Sequence, residues 1–135
     1  MAWTLKFNGL KIYCEGLTSP QTNNTINILC FEDNDAPCLQ FDIVDNRIVE
    51  GFSKHELLVP NILPNTPVVL TPKKEGGSKF EISRKSPKPG DTIKIKVVMG
   101  GSHDRWLTVN TDNKLVVDNG DGEGAEFEYS EDVFL

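Results

Sequence analysis

The sequence predicts an all-β fold assembled from three similar four-stranded units. Three observations carry that prediction. Gly and Pro account for 11 and 8 of the 135 residues and are spread along the whole chain, leaving little room for helices of more than two turns. Segments such as Trp3-Thr4-Leu5-Lys6-Phe7 and Thr92-Ile93-Lys94-Ile95-Lys96-Val97 alternate apolar with polar residues, which puts the apolar side chains on one face of a strand. The chain also matches itself at a period of about 40 residues, and such a period decides architecture before any local pattern does.

Each unit opens with a strand, at residues 2–7, 47–52 and 91–98. A second strand follows in each: Leu10-Lys11-Ile12-Tyr13, Leu57-Leu58-Val59 and Trp106-Leu107-Thr108-Val109. The third is an apolar run, Ile26-Asn27-Ile28-Leu29, then Pro67-Val68-Val69-Leu70, then Leu115-Val116-Val117. Polar turns come next, at Glu32-Asp33-Asn34-Asp35, Lys73-Lys74-Glu75-Gly76-Gly77 and Asp118-Asn119-Gly120-Asp121-Gly122. Every unit then closes on Phe, an acid and an apolar residue: Phe41-Asp42-Ile43, Phe80-Glu81-Ile82 and Phe127-Glu128-Tyr129. One unit of about 40 residues buries too little apolar area to be stable alone, so three must share a core. Phe41, Phe80 and Phe127 are expected at equivalent core positions, with Ile43, Ile82 and Tyr129 joining them from the same inward face. Six of the twelve strands close a small barrel, which removes exposed sheet edges, and six pair as hairpins that cap its end. That arrangement is a β-trefoil of three pseudo-repeats. It forms one domain over residues 1–135, with repeats at about 1–46, 47–88 and 89–135.

The unit of two apolar strands, a polar turn and a late aromatic resembles the ricin-B-like, or R-type lectin, repeat across nearly all of residues 1–131. A sugar site in that family combines an Asp in the second strand, an aromatic platform near the end of the third, and an Asn in the turn before a Gln-x-Trp motif. In this chain the Trp position holds Phe41, Phe80 or Phe127, and the Gln position holds Leu39, Ser78 or Ala125. The family's strand Asp corresponds to Lys11, Leu58 and Thr108, while its turn Asn has counterparts in Asn34 and Asn119. Leu or Thr cannot accept hydrogen bonds from two sugar hydroxyls as a carboxylate does. The resemblance therefore implies the scaffold without the family's galactose site. Among trefoils the chain is similar to small fungal lectins, a lectin-like tyrosinase subunit, and inhibitors of cysteine and serine proteases.

Composition narrows the functions further. A net charge of −6 disfavours phosphate-backbone binding, so no nucleic-acid partner is expected. The charge is uneven, however: Lys73, Lys74, Lys79, Arg84, Lys85, Lys88, Lys94 and Lys96 face only three acids within residues 73–98. No stretch approaches the roughly 18 apolar residues of a membrane span, so no membrane insertion is expected. The alternating N-terminus lacks the continuous apolar run of a secretory leader; a cytoplasmic location, or secretion without a signal peptide, is the expectation. Cys14, Cys30 and Cys38 are an odd set without paired spacing, and His55 and His103 lie far apart, which argues for free thiols and against a zinc site. Asp118-Asn119-Gly120-Asp121-Gly122-Glu123 lacks the alternate-residue ligands of a calcium loop. No nucleophile elbow, metal-protease motif or phosphate-cradling loop is present. Neither an enzyme nor a cofactor is expected.

What remains is binding through loops. Carbohydrate recognition leads, because carboxylates and amides accept from sugar hydroxyls and aromatic rings stack on sugar C–H faces. The third unit offers Trp106 with Asp118, Asn119 and Asp121, and the first offers Phe31 with Asp33, Asn34 and Asp35; the partners would be glycans or glycoproteins. The alternative is a protease inhibitor that presents a preorganised loop. Residues 16–25 are its first candidate and Gly51-Phe52-Ser53-Lys54-His55 its second. A lectin-like subunit that binds a partner enzyme and no sugar is a third reading.

Overall fold

The computed structural model describes residues 2–15, 27–72, 76–99, 104–120 and 122–131. Among these residues there is no helix, and thirteen strands run in chain order. They are β1 (Thr4–Phe7), β2 (Leu10–Cys14), β3 (Asn27–Glu32), β4 (Phe41–Val44), β5 (Arg47–Glu50), β6 (Glu56–Leu58), β7 (Val69–Thr71), β8 (Lys79–Ile82), β9 (Thr92–Ile93), β10 (Ile95–Val98), β11 (Arg105–Val109), β12 (Leu115–Val117) and β13 (Phe127–Ser130). All twelve expected strands are found, and the ninth is divided in two. Its division falls at Lys94, whose N–H donates to Ser83 Oγ at 2.8 Å.

Two-residue turns fix the tightest hairpins. Asn8 and Gly9 connect β1 to β2 with φ of 50° and 78°, and Asp45 with Asn46 connects β4 to β5 with φ of 52° and 64°. Left-handed values at both central positions match the turn to the right-handed twist of the strands, and Asn, Asp and Gly tolerate them best.

The strands form a nine-stranded sheet, β4-β5-β6-β7-β3-β2-β1-β13-β9, and a four-stranded sheet, β12-β11-β10-β8. Both curl around shared neighbours. Trp3 and Phe41 exchange backbone hydrogen bonds of 3.0 and 2.7 Å, β4 pairs with β5, and Phe80 N–H reaches Asn46 O at the start of β5. From there β8 pairs with β10, β9 with β13, and β13 with β1. Followed in this order, the pairings return to the strand where they began. The remaining strands pair as β2–β3, β6–β7 and β11–β12. These hairpins meet one another through β3–β7 and the single bridges Cys30–Lys114 and Pro67–Val116.

One apolar cluster fills the interior and includes Phe41, Phe80 and Phe127 together with Leu5, Ile12, Leu29, Phe31, Leu57, Leu70, Ile95 and Leu107. Trp3 stacks on Tyr129 with ring centroids 5.6 Å apart and leans on Phe41 at 5.5 Å. The alternation in 92–97 holds: Ile93, Ile95 and Val97 are buried while Lys94 and Lys96 are half-buried. The expectation for Ile43, Ile82 and Tyr129 fails only for Ile43. Tyr129 is buried, Ile82 is half-buried and packs against the core, and Ile43 is 44% exposed. Both isoleucines also line a cleft of about 480 Å³ with Trp3, Phe80 and Tyr129. No helix is long and apolar enough to cross a membrane among the described residues.

Replacing Phe127 by Ala removes a ring packed against Phe31 and Phe7 and is expected to cost about 3–5 kcal/mol. Ile43→Ala is expected to cost much less, because its side chain already meets solvent. Urea unfolding of the two variants checks both values.

Candidate functional site

The four-stranded sheet presents a row of polar and aromatic side chains on its outer face. Lys96 lies opposite Glu81 of β8 on one side and Trp106 of β11 on the other. Beyond Trp106 the row continues to Asp118, whose N–H donates to Trp106 O at 2.9 Å. Val97, Leu107 and Val117 point the other way and are buried, so the period of two that fills the core also fixes what faces outward. Trp106 is half-buried. The Lys94 and Lys96 ammonium groups lie 5.8 and 5.6 Å from its ring centroid, within reach of the ring's negative face. Lys96 also pairs with Glu81 at 3.4 Å.

The chain leaving β12 folds back beside this row. The Asp118 carboxylate accepts hydrogen bonds from Asn119 N–H at 2.6 Å and Gly124 N–H at 2.8 Å. Two glycines make the return path narrow enough. A Cβ at position 122 would lie 2.3 Å from the Asp118 carboxyl group, and one at position 124, where φ is +78°, would lie 2.6 Å from Trp106 Cβ. Trp106, Asp118 and exposed Asn119 are thus neighbours, and Asp121 lies outside the described residues.

The first-unit cluster is differently disposed. Phe31 is 1% exposed and stacks on Phe127 at 5.8 Å, so its ring is a core element and presents no face to a ligand. The reason lies in β3, where Leu29 and Phe31 share the inward side. Asp33 and Asp35 are exposed. Asn34 is occupied in its own turn, where its side-chain oxygen accepts from Ala36 N–H at 2.8 Å. Beneath it the Tyr13 hydroxyl is shared between the carbonyls of Asn34 and Ala36, at 3.0 and 2.5 Å. Burial raises the pKa of that hydroxyl.

A second surface feature lies between β5 and β6. Buried Glu50 accepts hydrogen bonds from Phe52 N–H (3.1 Å), Ser53 N–H (2.7 Å) and Ser53 Oγ (2.9 Å). Ser53 Oγ in turn accepts from His55 N–H at 3.1 Å, and Lys54 sits at φ 63°. Phe52 is held outward on this turn, 78% exposed, at the edge of a cleft of about 980 Å³ that Leu39, Phe41, Val44 and Val49 also line. The candidate loop at residues 16–25 lies outside the described residues.

The chain matches no known family model, no curated protein and no solved structure. Function must be read from these surfaces alone.

Sequence reasoning missed Lys94 and Lys96 as neighbours of Trp106. Their alternation was visible, but the strand register that sets them beside the ring was not. Among the described residues no group of three His, Cys, Asp or Glu is placed to hold a metal ion. The cysteines are free and buried. Burial pushes the Cys14 and Cys30 thiols up from 9.0 to about 12, with neighbouring carboxylates acting in the same direction. A thiol-specific reagent at pH 8 should therefore leave both unlabelled in the folded protein and label them once urea unfolds it. Because the folded values lie above the unfolded ones, these groups contribute full stability below pH 9.0 and lose it as pH rises towards about 12. Unfolding titrations from pH 7 to pH 10 should show stability falling at the alkaline end.

Proposed function

We propose that this chain is a β-trefoil that binds carbohydrate without catalysis, through the Trp106 face of its third unit. The scaffold part of this reading is supported by the circuit of strands from β1 through β4, β5, β8, the divided strand β10–β9 and β13, and by the three hairpins that touch one another. The observation that carries the site is the row formed by Lys96, Trp106 and Asp118. It sets a donor, a ring and an acceptor side by side at the spacing of adjacent strands, about 4.8 Å. A pyranose laid on the ring would have its C–H face against the indole and its rim hydroxyls directed at the two flanking groups. Asp118 keeps acceptor capacity after holding two loop amides, since a carboxylate offers about four lone-pair sites.

A glycan array read with the native protein and with Trp106→Ala tests this. Loss of signal in the variant, with its far-ultraviolet dichroism unchanged, is the expected result. An array blank at high protein concentration removes the carbohydrate reading.

One observation favours a second reading, protease inhibition. The Glu50-pinned turn displays Phe52 with its backbone already ordered, so little entropy would be lost on entering an enzyme cleft. Inhibition of papain and trypsin by native protein and by Phe52→Ala checks it. An anchor of this kind is expected to lose about thirtyfold in affinity on truncation, and equal inhibition by both proteins would exclude the turn.

A further inference from the structure

We infer that the ligand of the Trp106 face is an acidic saccharide, one whose ring carries a carboxylate or sulfate group; this rests on the carbohydrate reading above and narrows it. The starting point is an electrostatic imbalance around one ring. Two ammonium groups, those of Lys94 and Lys96, sit within 6 Å of the Trp106 centroid, at 5.8 and 5.6 Å. Both place positive charge at the same ring, which the ring's quadrupole only partly offsets. Lys96 has a carboxylate partner in Glu81, but that pair is loose, because the Glu81 side chain is 63% exposed. Lys94 has no carboxylate partner among the described residues.

An anion lying between the two lysines would balance the charge the fold leaves there. Its attachment to a ring stacked on Trp106 would set its position. A neutral sugar uses the indole and Asp118 but leaves Lys94 without a partner. Asp118 adds selectivity. With its carboxylate at one end of the row and two ammonium groups at the other, it favours a saccharide acidic on one edge and bearing only hydroxyls on the opposite edge.

The test compares matched probes that differ in one acidic group: lactose against 3′-sulfolactose and 3′-sialyllactose, on an array and by titration calorimetry at low and at physiological salt. The acidic members are expected to bind about tenfold or more tightly than lactose, since a charge-assisted hydrogen bond contributes at least that factor. The difference should shrink as salt rises. Lys94→Gln should reduce the acidic preference while leaving lactose binding in place, Lys94→Arg should retain it, and Trp106→Ala should abolish binding of all three probes. Equal binding of neutral and acidic probes, or an acidic preference unchanged in Lys94→Gln, overturns the inference while the carbohydrate reading stands. Failure of every probe, on an array that is blank throughout, overturns both.

Discussion

Two backbone hydrogen bonds between Trp3 and Phe41 close the circuit of strands, and much of the molecule depends on them. Strands of two to six residues are too short to be stable singly. Without that contact, β4 would be paired on one side only, and its open N–H and C=O groups would invite pairing with another chain. Closure also brings the Trp3 ring against Phe41 and Tyr129, so the same residue that joins the backbone circuit plugs the core beneath it.

The rigidity gained in this way is passed to the surface by different means in different places. Around Trp106 it is passed by register: alternate residues of β10, β11 and β12 are locked inward, and their neighbours have no choice of face. Around Phe52 it is passed by a single buried carboxylate, because Glu50 satisfies three donors of the turn and leaves the aromatic residue with nowhere to pack. The first surface sets a ring between charged groups, and the second sets an exposed ring at the edge of a cleft. They suit ligands of different chemistry, and they lie on different pairs of hairpin strands.

The strands were legible in the sequence because each carries a period of two and is bounded by turn residues. The turns Asn8-Gly9 and Asp45-Asn46 were not singled out from the sequence, although their residue types tolerate the backbone angles seen. The site was legible only in part. Trp106, Asp118 and Asn119 are near one another because β11 and β12 are consecutive and joined by a short turn. Lys94 and Lys96 could not be attached to them, since register between β10 and β11 depends on packing across the whole sheet. Phe31 misled for the opposite reason. It stands next to an acidic turn in sequence, yet it is the third inward residue of β3 after Asn27 and Leu29, and that alternation outweighs its neighbours. Ile43 shows the limit of periodicity itself: alternation gives the side of a strand and says nothing about where along it the core stops.

The pairing of β1 with β13, Thr4 opposite Ser130, has an architectural consequence of its own. The first and last of the described strands are adjacent and antiparallel, so the start of β1 and the end of β13 lie side by side. A short linker could splice them, and a new opening cut at another exposed turn would leave every ladder intact: the order of the segments along the polypeptide is in this sense a convention that the fold does not enforce.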